Sequence, residues 1–131
     1  MRIILGLGLA AGLVASAAAG EVAREQKTLK GQLISLHVHP FLKDDELKVL
    51  RLVQTNPQAL QLFVTSAGGF SAIAVAPQDG LLRDGGFPPT VYAIGDLPDA
   101  QTAATTALAG CDALRKGGEP CVIVLEVGPA R

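Results

Sequence analysis

The 131-residue chain contains two cysteines, Cys111 and Cys121, and their spacing limits the chemistry they can perform. A zinc site needs about four ligands, usually with about two to four residues between paired cysteines, and a thioredoxin-like redox pair needs C-x-x-C. Nine residues separate these two, in the stretch CDALRKGGEPC, so neither pattern is met. Two cysteines in a small exported domain usually form a disulfide, whereas in the cytosol they would be core thiols. We therefore predict a Cys111–Cys121 disulfide if the protein is exported.

Two histidines, His37 and His39, form H-x-H in a stretch that alternates apolar and polar residues, QLISLHVH. Alternate residues of a strand point to the same face, so the two imidazoles would lie side by side. Such a pair could form a metal-binding or enzymatic site, and Asp44, Asp45 or Glu46 could add an oxygen ligand to a metal ion. The alternative is a solvated strand face that binds no metal and needs no cofactor.

Other catalytic patterns are missing from the sequence. Ser35, Ser66 and Ser71 do not lie in a G-x-S-x-G nucleophile elbow, and no glycine pair belongs to a phosphate-binding loop. The acidic run at 44–46 is better interpreted as the start of a helix, where the helix dipole favours negative charge. We expect no catalytic residue and favour a protein that is not an enzyme.

The elements that would position these residues follow from apolar periodicity and from helix-stop signals. We predict strands over 32–39, 70–77, 90–96 and 121–127 and helices over 43–57 and 97–116. The segment 58–66 fits a strand or a last apolar turn, and we favour a strand. The order predicts an α+β fold, with a mostly antiparallel sheet of about four strands, two helices packed on one face, and one disulfide.

The first twenty residues differ in composition from the rest of the chain. Arg2 precedes a long uncharged apolar run, and Ala17 and Ala19 form the A-x-A pattern that precedes signal-peptide cleavage. The run is also nearly long enough for a membrane anchor, which is the alternative. We predict a signal peptide over 1–19, a flexible leader over 20–31 and a single domain over 32–131, located in the periplasm or secreted.

The charge balance excludes some classes of partner. Removal of the signal peptide would leave 112 residues, with ten Lys and Arg against twelve Asp and Glu. A nucleic-acid-binding or anionic-membrane surface would need a basic excess. We therefore expect no nucleic acid and no membrane after cleavage, and a non-catalytic role in binding, with a cell-envelope protein as the expected kind of partner.

Three segments carry a resemblance to a known group of proteins: FLKDDELKVLRLV, FSAIAVAPQDGLL and TAATTALAGCDALRKGGEPCVIVLEV. They resemble small exported proteins of alphaproteobacteria, of unknown function, which have an Ala-rich helix ending in Cys and a second Cys opening a valine-rich strand. Ser71 departs from the glycine usual in that group.

Members of this group are sometimes labelled aminolevulinic acid synthase, a label that is chemically unsafe for this chain. That chemistry needs a Schiff-base lysine, a carboxylate for the pyridinium nitrogen and a phosphate cup for pyridoxal phosphate. The five lysines after residue 19 stand in polar or helix-edge positions. The resemblance supplies no catalytic residue.

Overall fold

The protein is described here from a computed structural model that covers residues 22–64 and 69–130. Over these residues the chain forms one five-stranded antiparallel sheet and three helices. The strands are β1 (Ala23–Leu29), β2 (Gln32–Val38), β3 (Phe70–Val75), β4 (Tyr92–Leu97) and β5 (Val122–Pro129), and the helices are α1 (Asp44–Thr55), α2 (Pro57–Phe63) and α3 (Ala100–Leu114). The strands lie in the order β1-β2-β5-β3-β4. The predicted α+β class is confirmed, with one strand and one helix more than expected.

The additional strand, β1, lies where the sequence predicted a flexible leader, so that prediction was wrong. All seven residues of β1 pair antiparallel with β2. Lys30 and Gly31 join the two strands with positive φ angles of 56° and 76°, as a two-residue type I′ turn requires. Gln54 of α1 also donates a hydrogen bond to the carbonyl of Glu25, at 2.9 Å. The leader is ordered because its backbone is paired with β2 and bound by α1, although its side chains are mostly exposed.

The predicted strand at 58–66 was also wrong, because its first part belongs to helix α2. Asn56 ends α1 with extended backbone and its side chain accepts a hydrogen bond from the Ala59 N–H at 3.0 Å. Pro57 occupies the first turn, where its missing N–H costs nothing. Asn56 and Pro57 therefore end α1 and begin α2. The last part of the predicted strand, 65–66, lies outside the described residues.

Helices pack on both faces of the sheet, whereas the sequence predicted two helices on one face. Ile73 and Val75 of β3 belong to a core cluster with residues of α1 and α2, but the alternate residues Ala72 and Ala74 pack with α3. Successive side chains of a strand point to opposite faces. The larger core therefore lies under α1 and α2, and the other is a thin alanine layer that lets α3 lie close to the sheet.

The predicted disulfide between Cys111 and Cys121 is confirmed, with the two Cα atoms 6.1 Å apart. It joins the last turn of α3 to the start of β5, and closing a loop of this length stabilises the fold by about 3 kcal/mol in the chain-entropy model. The Asp112 carboxylate accepts from the Cys121 N–H at 3.0 Å and from Arg115 Nε at 2.7 Å. These two hydrogen bonds lower the pKa of Asp112 below its usual value.

In the ranges 22–64 and 69–130, no helix is long and apolar enough to cross a membrane. The predicted signal peptide over 1–19 lies outside the described residues.

Candidate binding face

One face of the sheet is only partly covered by helix. α3 packs on β3, β4 and β5, and no helix among the described residues covers β1 and β2 on that side. Glu126 of β5 lies opposite both Ser35 of β2 and Ala72 of β3, and Ala72 packs beneath α3. Residues directly opposite each other in a sheet share a face, so Glu126 and Ser35 lie beside α3. We call this surface the open polar face and define it by Arg24, Gln26, Ser35, His37 and Glu126.

A hydrogen-bonded imidazole and carboxylate lie on the open polar face. His37 Nε2 donates to Glu126 Oε1 at 2.8 Å, and the two side chains are 21% and 29% exposed. The hydrogen bond from His37 lowers the pKa of Glu126, with smaller contributions from the charges of His37 and Arg24, against the opposing effect of burial. Glu126 therefore remains an anion at neutral pH and presents a fixed negative charge.

The second histidine is held in a similar way beside the first. His39 Nε2 lies 2.8 Å from the carbonyl oxygen of Ile123, which can only accept, so this nitrogen carries the proton. The rings of His37 and His39 are stacked, with centroids 6.3 Å apart. In both rings the Nε2–H is donated, which leaves Nδ1 as the nitrogen that could bind a metal. Metal-binding histidines usually donate their other ring nitrogen to a carboxylate or a backbone carbonyl in this way.

The acidic residues suggested as a third metal ligand serve the start of α1 instead. Glu46 is 2% exposed, and its carboxylate accepts hydrogen bonds from the backbone N–H groups of Lys43, Leu81 and Leu82. Asp45 accepts from the N–H of Glu46. Among the described residues, no group of three or more His, Cys, Asp and Glu side chains could hold a metal ion.

The sequence did not predict that Glu126 is the carboxylate that binds His37. It stands 89 residues away in the chain, and only the pairing of β2 with β5 brings the two together. The one available signal was its place as the single charged residue in the apolar strand VIVLEV. A charge in such a strand must point away from the main core or find a partner.

A groove of about 210 Å³ adjoins the open polar face at the start of α3. Its apolar lining includes Leu33, Phe70 and Ala100, and Ser35 and Glu126 contribute polar atoms. Gly128 also lines it, and a Cβ at that position would lie 2.6 Å from a carbon of the Phe70 ring. Glycine therefore allows the ring to lie directly over β5 and form one wall.

The arrangement does not form a serine triad. The Ser35 hydroxyl accepts from Gln26 Nε2 at 3.0 Å, and the Nε2 of His37 is occupied by Glu126. The Ser71 hydroxyl is buried without a hydrogen-bond partner among the described residues. The open polar face thus presents the carboxylate of Glu126, the guanidinium of Arg24 and the amide of Gln26 beside an apolar groove, which suits recognition of another molecule.

Comparisons with models of known protein families, with curated proteins and with solved structures gave no match for this chain.

Proposed function

We propose that this protein is a small exported domain, stabilised by its disulfide, that binds a cell-envelope protein through the open polar face without catalysing a reaction. The observation that supports this most directly is the uncovered side of β1 and β2 next to α3. Glu126 and His37 are fixed there, and the groove beside them has apolar walls. Fixed polar groups around an apolar depression are what a specific protein interface requires.

The proposed location rests on the disulfide together with the N-terminal sequence. A Cys111–Cys121 bond is typical of oxidising compartments, and A-x-A at 17–19 is typical of signal-peptide cleavage. Intact mass of the protein from fractionated cells, with and without reductant, tests both points. We expect a periplasmic chain that begins at Gly20 and gains the mass of two hydrogens on reduction. A cytosolic chain with two free thiols would exclude export.

The binding face is tested by site-specific photo-crosslinking in cells. A photoreactive phenylalanine analogue at position 33 lies beside the groove, and the same analogue at Thr105, an exposed position of α3, is the matched control. We expect a discrete adduct with another protein from position 33 only, and its loss in Glu126→Arg. Equal labelling from both positions, or an adduct that persists in Glu126→Arg, would refute the proposed face.

Metal binding by His37 and His39 is a second candidate function, because both rings engage Nε2 in a hydrogen bond and their centroids are 6.3 Å apart. The ion would be completed by water or by a ligand from a partner. Metal analysis of the purified protein distinguishes this function from the first. Stoichiometric zinc or copper that is lost in His37→Ala and retained in Ser35→Ala would favour it, and absence of metal in the wild type would exclude it.

A further inference from the structure

We propose that two copies of this chain associate through the outer edge of β1, which joins their sheets into one antiparallel sheet of ten strands around a two-fold axis. The interface uses the backbone of β1 and the neighbouring surface of α1. The dimer uses the backbone edge of β1, whereas the proposed site for an envelope protein uses side chains of the open polar face, and neither proposal requires the other.

The backbone of β1 is suited to this pairing. β1 is seven residues long and lies at the end of the sheet, and no strand among the described residues pairs with its outer edge. In an antiparallel ladder only every second residue bonds to a given neighbour. Leu29 closes the two-residue turn with Gln32, so Lys27 and Glu25 also bond to β2. The N–H and C=O groups of the three intervening residues, Arg24, Gln26 and Thr28, therefore point outward.

The side chains of β1 are complementary to those of a second copy. Gln26 is the midpoint of the strand, and an antiparallel pair centred on it matches all seven residues of both copies. Gln26 then lies opposite its equivalent, and Glu25 lies opposite Lys27 of the second copy. Opposite charges directly across an antiparallel pair are stabilising, and like charges are destabilising. This register uses all three outward-pointing residues of each copy.

The helix next to this edge leaves room for the second copy. A cavity of about 610 Å³ lies between β1 and α1, and it is lined by Glu25, Gln26, Lys27, Lys48, Arg51, Leu52 and Thr55. Leu52 is 50% exposed there. Because α1 lies over β1 and β2, and strands are about 4.8 Å apart, the two α1 helices of the dimer would be roughly 10 Å apart. That is close to the usual distance between packed helices, about 8–10 Å. Leu52 of each copy would face the other.

The first test removes one outward N–H without removing a backbone hydrogen bond to β2, and its control loses the same side-chain hydrogen bond from Gln26 to Ser35. Gln26→Pro does this, since proline at an edge strand is tolerated when its nitrogen faces away from the sheet. The matched control is Gln26→Ala, which keeps the N–H. Sedimentation velocity over a concentration series of each protein, purified in the form that cells accumulate, measures the association. We expect a dimer for the wild type and for Gln26→Ala, and at least about tenfold weaker association for Gln26→Pro.

The second test exchanges the facing charges. Lys27→Glu places two carboxylates opposite each other across the interface, and Glu25→Lys places two ammonium groups there. We expect each variant alone to be monomeric, and the equimolar mixture to form a heterodimer in which every facing pair again has opposite charges. Glu25→Lys also breaks the ion pair between Arg51 and Glu25 within each subunit. Mixing the two variants does not restore that ion pair, so dimer formation in the mixture would come from the facing charges.

Three results of these sedimentation experiments would overturn the proposed dimer. A wild-type protein that stays monomeric at all concentrations refutes the proposal. A complex in which a different polypeptide, and not a second copy, pairs with β1 refutes it as well. A dimer that is equally stable in Gln26→Pro, Gln26→Ala and the two charge variants places the interface elsewhere and also refutes it.

Discussion

At the scale of single residues, Glu46 shows how a charged side chain can be part of the core. Its two oxygens accept three backbone hydrogen bonds, one from the start of α1 at Lys43 and two from the loop at Leu81 and Leu82. Gly80 has a φ of +74°, and a Cβ there would lie 2.7 Å from Glu46 Oε2. The glycine therefore allows the loop to approach the carboxylate, and Glu46 joins two segments that are far apart in the sequence.

Replacing Glu46 is expected to destabilise the fold strongly. Glu46→Ala would leave one buried and one partly buried N–H of the loop, and one N–H at the helix start, without their acceptor, at a cost of roughly 2–4 kcal/mol. Glu46→Gln keeps one acceptor oxygen and should lie between the alanine variant and the wild type. The free energy of unfolding from urea denaturation measures this. Asp44→Ala, an exposed position in the same helical turn, is the control and should cost less than about 1 kcal/mol. Equal losses in Glu46→Ala and Asp44→Ala would contradict the role assigned to Glu46.

At the scale of secondary-structure elements, the packing of α3 depends on small residues in the helix and on one aromatic ring below it. A Cβ added at Gly110 would overlap the ring of Tyr92 on β4. Ala103 and Ala107 are buried on the same side of the helix. The helix therefore comes close to the sheet only because these side chains are small or absent.

Gly110→Ala is expected to destabilise the protein, although alanine is the better helix former by about 1 kcal/mol. The overlap with Tyr92 should outweigh that gain and lower the free energy of unfolding by roughly 1–3 kcal/mol. Gly86→Ala is the control, because nothing lies within 4 Å of a Cβ at that position. In a Tyr92→Ala background the same Gly110→Ala change should become neutral or stabilising. Stabilisation by Gly110→Ala in the otherwise wild-type protein would show that the ring does not limit the approach.

The elements differ in how well the sequence predicts them, for physical reasons. α1, α3 and β5 have clear periodicity and termination signals, so the α+β class followed from them, whereas the disulfide was predicted from the cysteine spacing and the expected export. β1 has seven mostly polar residues and is ordered by pairing with β2, which leaves little apolar pattern. α3 covers the face of the sheet that carries the small residues Ala72 and Ala74. The sequence shows that these residues are small, but their position under α3 can be predicted only when the strand order is known. The partnership of His37 with Glu126 was missed for the same reason, because it depends on the β2–β5 pairing.

At the scale of the whole molecule, the proposed dimer would enlarge the proposed binding face. With β1 paired to its copy, the open polar faces of the two subunits would lie side by side between their α3 helices. Four strands, β1 and β2 of each copy, would then form a continuous surface without a covering helix among the described residues. Such a surface would be symmetric, so a partner could occupy it with two-fold symmetry or make two equivalent contacts.

Acid is expected to destabilise the whole molecule, because four carboxylates among the residues at 22–64 and 69–130 have lowered pKa values in the folded state. In each case the largest cause of the lowered pKa is a hydrogen bond to the carboxylate. The donor is Arg51 for Glu25 and Thr102 for Asp99. It is Cys121 for Asp112 and His37 for Glu126. The unfolded chain, with ordinary pKa values near about 4, binds more protons in acid than the folded chain does. Stability from these groups is therefore complete above about pH 5 and is lost as pH falls through the lower folded values. Thermal unfolding midpoints measured from pH 7 down to pH 2 should stay level and then fall, and the fall should be smaller in the double variant Asp112→Asn/Glu126→Gln. A midpoint that stays constant or rises below pH 4 would contradict the proposed role of these carboxylates.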